Sequence, residues 1–314
     1  MRSDVPMEAW KRVRRRLLKS LVKPYAAVLL RQPLWDARGV VSPCGRYGPG
    51  GGSAMPFVLL GDSSAVTVGV LERQETIGAQ LAGMLSSRLE CAVELDVLAR
   101  AGATTAALAR QVRSVTGRNT PGVAFILIGG NDVMLPASVS RSAARLGHYV
   151  RELRGAGWEV VVGSCADIGA APALRRAVAA VASVRSRRLA RLQSAAVLAA
   201  GGRVVALETN AFRRRPAQLY CPDGFHPSPE GYRVYLRLAG SAVAGAGEAW
   251  LRQSAVERRG GVQTVGPQTG APREVAVPAK ALTPAQVRLR TRVRSGWPSA
   301  DGAHRPSGAE REPV

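Results

Sequence analysis

The chain has 314 residues, enough for one sizeable core with flanking segments, and 46% of them are hydrophobic. The four cysteines, Cys44, Cys91, Cys165 and Cys221, make no C-x-x-C pair and no His-supported ligand set, which argues against a disulfide framework or a zinc site, and no run of about 18 apolar residues marks an ordinary transmembrane helix. The formal net charge of +22 is densest in residues 1–55, with eleven Lys/Arg against three Asp/Glu, a field that attracts anionic membranes or nucleic acid, although only four basic residues are lysines and a GC-rich genome yields the same arginine bias.

In chain order, Trp10, Val13, Leu17, Leu18 and Leu21 recur at helical spacing among Lys11, Arg12, Arg15, Arg16 and Lys19, and Pro24 ends the pattern. Residues 1–41 therefore read as a basic amphipathic arm. Residues 8–23 fit peripheral contact with an anionic membrane, or a solvated helix docked on the domain. The expected location is cytoplasmic, with the arm at a membrane surface where it docks there. Arg14 to Lys19 also looks like a twin-arginine export signal, against which stand Lys23, Pro24 and the lack of a small-residue cleavage site. Residues 42–55, SPCGRYGPGGGSAM, read as a flexible Gly/Pro linker.

Residues 56–254 alternate strand and helix. Strands are predicted at 57–60, 93–98, 123–128, 159–162 and 204–207. Helices are predicted at 76–89, 104–115, 139–153 with Ser138 as cap, 172–199 and 229–246. This is an α/β pattern: a central five-stranded parallel sheet in a three-layer, flavodoxin-like arrangement. After Ser254 the periodicity fades, and the Pro/Gly/Arg-rich residues 255–314 read as a disordered tail.

Three short motifs fall where such a sheet carries function, past strand ends or before the last helix. They are Gly61-Asp62-Ser63-Ser64, Gly129-Gly130-Asn131-Asp132, and Asp223-Gly224-Phe225-His226-Pro227. G-D-S, G-x-N-D and D-x-x-H in this order resemble the blocks of the SGNH (GDSL-like) serine hydrolases, over about residues 56–248. The resemblance implies the same three-layer fold and an ester hydrolase needing no cofactor or metal.

The chemistry of these residues is coherent. Ser63, at a strand-to-helix turn, is the candidate nucleophile, and it needs an adjacent base. The chain has three histidines: His304 lies in the tail, His148 in a predicted helix, and His226 is the base candidate. Asp223, three residues earlier, is placed to orient the imidazole, although Asp223 also suits a turn and Ser228 or Asp223 a helix cap. Asn131 is the candidate oxyanion donor; Asn-Asp after a strand also makes a turn. By position alone, Gly102 matches the family's remaining block, and its N–H would join that of Ser63 as a donor. Asp62 and Asp132 are expected to hold loops through backbone hydrogen bonds. The family pattern selects Ser63 over Ser64, and the usual Leu after the serine is Ser64 here.

The lipase-type G-x-S-x-G elbow is absent around Ser63, as are P-loop and dinucleotide fingerprints. The expected substrate is a small-molecule, lipid or glycan ester. Transfer of the acyl group to a hydroxyl acceptor would use the same residues. Nucleic acid is not an expected partner, because the core lacks basic runs interleaved with aromatics. Specificity is expected to reside in loops 64–75, 133–138 and 164–171.

Overall fold

The structure is a computed structural model that describes residues 29–34 and 40–261, with side chains described as far as Val256. Its sheet has six strands: β1 (Gly45–Tyr47), β2 (Met55–Gly61), β3 (Val93–Val97), β4 (Val123–Leu127), β5 (Glu159–Gly163) and β6 (Arg203–Val205). Their order is β1-β3-β2-β4-β5-β6. The five from β2 to β6 are parallel, and β1 pairs antiparallel with the outer edge of β3. The helices are α1 (Ser63–Val66), α2 (Ile77–Leu89), α3 (Leu108–Thr116), α4 (Gly130–Met134), α5 (Val139–Gly155), α6 (Arg176–Ala199), α7 (Ala211–Arg214), α8 (Pro216–Leu219) and α9 (Pro229–Gly261).

Alternation along the strands sends their side chains into two cores. Phe57, Leu59, Phe125 and Val161 pack with Ile77, Leu81 and Leu85 of α2 and with Tyr232 and Val243 of α9. Val58, Leu60, Ile126 and Val160 face the other way, onto Leu108 and Val112 of α3, Leu146 and Val150 of α5, and Val197 of α6. The result is the three-layer α/β arrangement anticipated from the strand and helix pattern. Thr76 and Ser138 cap α2 and α5 through their side chains, accepting from the N–H groups of Ala79 and Arg141. The chain reverses its direction of travel across the sheet between β2 and β4, which makes the carboxyl ends of those strands the switch point where such sheets bind ligands.

Four boundaries differ from the sequence reading. First, residues 42–55 are not a free linker. Gly45, Arg46 and Tyr47 pair with Leu95, Glu94 and Val93, covering an edge of β3 that would otherwise expose unpaired backbone groups. Arg46 then donates to the carbonyls of Pro49, Gly51 and Gly52 at 3.3, 3.0 and 2.8 Å, and the Tyr47 hydroxyl donates to Pro43 O at 2.6 Å. The five-stranded parallel sheet thus gains a sixth, antiparallel strand.

Second, the end of the supposed arm, residues 1–41, belongs to the domain. Leu30 forms a bridge with Leu174, Arg31 N–H donates to Ala173 O at 2.8 Å, and Gln32 Nε2 donates to Pro222 O at 2.8 Å. Third, residues 171–174 make a turn, the Leu174 N–H donating to Ala171 O at 3.1 Å, and Leu174 joins the bridge, so α6 begins at Arg176 rather than at residue 172.

Fourth, the last helix continues past residue 246 to Gly261, so residues 255–261 are helix rather than tail. Trp250 Nε1 donates to Pro121 O at 2.8 Å, and Arg88 pairs with Glu248 at 3.0 Å, so this stretch is packed against the domain. The amphipathic stretch at 8–23, the twin-arginine-like stretch and residues 262–314 lie outside the described residues. Among those described, no helix is long and apolar enough to cross a membrane.

Candidate active site

β2 runs into the first motif through Gly61, whose φ of 135° is a left-handed-side conformation open to glycine. A Cβ there would meet Leu127 O at 1.8 Å, so β2 and β4 approach closely just before both loops begin. Gln111, reaching from α3, takes the place of a further strand partner. Its Oε1 accepts from Gly61 N–H at 2.7 Å and its Nε2 donates to Gly61 O at 2.9 Å. Asp62 then caps α1, its Oδ1 accepting from Ser64 N–H at 2.9 Å. Burial pushes the Asp62 carboxyl up to about 6, against the opposing pull of the N–H groups of Ser64 and Gly129. Ser63 is the first residue of α1.

β4 enters the second motif through Gly129, with φ 134° and a backbone too close to Gln193, Leu189 and Cys165 to carry a side chain easily. Asn131 sits in the single turn of α4, and its Nδ2 donates to Ala103 O at 2.9 Å. The buried Asp132 carboxylate accepts from Thr105 N–H at 2.9 Å, Thr105 Oγ1 at 3.0 Å and Ser142 Oγ at 2.6 Å. The α4 turn is therefore tied both to the loop after β3 and to α5. Gly102 lies in that β3 loop with φ 77°.

The third motif precedes α9. The Asp223 Oδ2 atom is 2.6 Å from His226 Nδ1, and Oδ1 accepts from the N–H groups of Phe225 at 2.9 Å and His226 at 3.0 Å. Both side chains are buried. Burial alone would raise the Asp223 carboxyl; the hydrogen bond to the His226 ring and the two N–H donors outweigh it and hold the group at about 2. Asp223 is thus a turn residue and the histidine's partner at once, and Ser228 caps α9 by accepting from Gly231 N–H at 3.1 Å.

Ser63, Asn131 and His226 line one narrow cleft of about 60 Å³, at the carboxyl ends of β2, β4 and β5. Leu207, Ile168, Phe225 and Ala171 give it apolar wall, and Asp167, Ser164 and Tyr220 give it polar wall.

The sequence profile of the GDSL-like lipase/acylhydrolase family matches residues 59–234, more than half of the chain. The chain belongs to that family.

A curated GDSL-like esterase of Mycobacterium tuberculosis, Rv1075c, is 36% identical over 209 residues, which cover 62% of this chain and 66% of the relative. The chain thus spans just under two thirds of that relative's length. Among solved structures, a lipolytic protein of the G-D-S-L family from Veillonella parvula is 18% identical with a TM-score of 0.46, covering 59% of this chain and 96% of its own. The acetylxylan esterase Axe2 from Geobacillus stearothermophilus is 21% identical with a TM-score of 0.46, covering 60% of this chain and 95% of its own.

Within this GDSL-like chain, the structure brings Ser63, Asn131 and His226 to one cleft and sets Asp223 behind the histidine. Gly102 is not on the cleft wall, although its neighbour Ala103 holds the Asn131 amide. His148 is exposed on α5 and pairs with Glu152 at 3.2 Å, away from the cleft. Of the three loops expected to shape specificity, 164–171 supplies much of the wall and 64–75 only Ser64. Residues 133–136 of the third loop line a separate groove.

Sequence reasoning missed three helix residues that secure the site: Gln111, Arg185 and Gln193. The Gln193 side chain accepts from Cys165 N–H at 2.8 Å and donates to Ile128 O at 3.1 Å, joining the ends of β5 and β4. A signal was present: Gln111 lies three and one positions from Leu108 and Val112, and Gln193 lies four positions from both Leu189 and Val197. They are polar residues on apolar helix faces. Among the described residues, no group of three or more His, Cys, Asp or Glu stands together as a metal site.

Proposed function

We propose that the chain is a serine esterase working through an acyl-enzyme, with Ser63 as nucleophile, His226 as general base and Asp223 as the residue that orients it. The observation that carries the reading is the convergence of Ser63, Asn131 and His226 on one cleft, with Asp223 buried against His226 Nδ1.

The Asp223 contact assigns the Nδ1 proton to that side and leaves Nε2 as the nitrogen that takes the Ser63 proton. Ser63 Oγ attacks the ester carbonyl, and the carbonyl oxygen acquires the negative charge. One hydrogen of the Asn131 amide is held by Ala103 O, which fixes the amide's orientation; the other is available to the oxyanion. The backbone N–H of Ser63 is the further donor in this reading; Gly102 lies off the cleft wall and has no donor role. Collapse expels the alcohol, protonated by His226, and leaves the acyl group on Ser63. A water molecule, deprotonated by His226, then releases the acid.

The mixed wall of the cleft suits a lipid or acylated-carbohydrate ester: Ile168, Leu207 and Phe225 can take acyl carbons, and Asp167 and Tyr220 can face hydroxyl groups. The test is a series of p-nitrophenyl esters of rising acyl length, with Ser63→Ala as control. Turnover of at least one ester that disappears in S63A supports the reading, and undiminished turnover in S63A refutes it.

A further inference from the structure

The α4 turn has five residues, too few to hold its shape by helix formation alone, and its C-terminal carbonyls lack partners within the helix. Arg185, from the middle of α6, supplies them. Its Nε donates to Val133 O at 2.9 Å, and its Nη2 lies 2.9 Å from each of the carbonyls of Asp132, Leu135 and Ala137. Four carbonyls across six residues are gathered on one guanidinium, covering the end of α4 and the loop into α5. Arg185 is half-buried, and it does not line the cleft.

We infer that Arg185 is a positioning residue for the oxyanion donor: it locks the α4 turn so that the Asn131 amide stands where negative charge develops. The inference rests on the reading of Asn131 given above. The geometry asks for arginine in particular. A planar fork with fixed N–H directions can bind carbonyls at several angles at once, whereas an ammonium group is a compact point charge on a shorter reach. The positive charge also faces the negative end of a helix. The opposite side of the turn is already held, by Asp132 on Thr105 and Ser142 and by Asn131 on Ala103. Arg185 is the grip on the carbonyl side, and its loss lets the turn pivot about those anchors.

The test is a kinetic cycle on the full chain with Arg185→Ala, Asn131→Ala and the double variant, read with a p-nitrophenyl ester. R185A is expected to lower kcat by about tenfold to a hundredfold, the scale of a sub-ångström to 1 Å misplacement, with KM nearly unchanged. In the N131A background the same substitution is expected to cost no more than about twofold, because the group it positions is gone. Added guanidinium at low millimolar concentration is expected to restore part of kcat in R185A and none in R185A/N131A. If R185A does not fold, Arg185→Lys carries the test, with a smaller kcat loss that likewise vanishes in the N131A background. Full kcat in a folded R185A, or a loss that multiplies unchanged with that of N131A, overturns the inference. Undiminished kcat in N131A alone overturns the oxyanion reading itself, and that result is read independently of Arg185.

Discussion

Asp223 holds His226 at two points: one carboxylate oxygen on the ring Nδ1 at 2.6 Å and the other on the backbone N–H at 3.0 Å. A single acidic side chain thereby sets both the ring's tautomer and the path of the chain that carries it. Asp223→Asn keeps the size and loses the charge and the tautomer. It is expected to lower kcat by about 10⁴, with the fold retained by circular dichroism. A loss below about tenfold would show that the histidine does not depend on this partner.

The same carboxylate makes a contribution to stability that depends on pH. Its folded value of about 2 lies below the ordinary 3.8, so the folded state favours the ionised form. The contribution is complete above pH 4 to 5 and is lost as pH falls through about 2. Urea titrations of wild type and D223N between pH 2 and 6 are expected to converge at the acid end. A constant gap across that range would contradict the assignment.

Asp62 has the opposite sign. Its folded value of about 6 lies above 3.8, so the folded state binds the proton more tightly than the unfolded chain. This stabilisation is complete below about pH 4 and disappears as pH rises through about 6. The swing is about 3 kcal/mol at most. In Asp62→Asn that slope between pH 4 and 7 is expected to vanish, whatever the variant's absolute stability. Parallel curves for the two proteins would show that Asp62 titrates normally.

Gln111 satisfies both backbone groups of Gly61, the residue before Asp62 and Ser63. Gln111→Leu leaves the buried Gly61 N–H unpaired, while Gly61 O keeps the Arg100 N–H at 3.0 Å, and is expected to destabilise the fold by about 1–3 kcal/mol. The measurement is the urea midpoint at constant m-value. A change under about 0.5 kcal/mol would mean that water or a shifted neighbour takes over the Gly61 N–H.

The N-terminal boundary gives a further test. A chain starting at residue 29 keeps the Leu30–Leu174 bridge and β1, and it is expected to turn over the p-nitrophenyl esters that the proposed function assigns to the full chain. A chain starting at Met55 loses both and is expected to melt earlier, with the edge of β3 exposed. Residues 8–23 are proposed to bring the protein to anionic membranes. Co-sedimentation with anionic vesicles is therefore expected for the full chain at low salt, and is expected to fall with added salt and in the version starting at residue 29. Equal sedimentation of both would remove the arm from the proposal.

Much of this architecture is legible in the amino-acid sequence because buried parallel strands are short continuous apolar runs, and residues 57–60 and 123–128 are such runs. The three motifs are legible because each follows a strand or precedes a helix. β1 escapes notice because three residues amid Gly and Pro carry no period; their strand character comes from the edge of β3 and from Arg46 gathering nearby carbonyls. The start of α6 is misjudged because Pro172 suits a first helical turn, while pairing with residues 29–31 is a long-range effect. The residues behind the site, Gln111, Arg185 and Gln193, resemble ordinary polar substitutions in amphipathic helices until the backbone groups they bind are in place.

The central claim is that Ser63 is the nucleophile, and a fluorophosphonate probe followed by peptide mass spectrometry tests it most directly. The account predicts one stoichiometric adduct on Ser63, absent in S63A, retained in Ser64→Ala, and slowed in Asn131→Ala and Asp223→Asn. An adduct on Ser64, or equal labelling of the S63A protein, would contradict it.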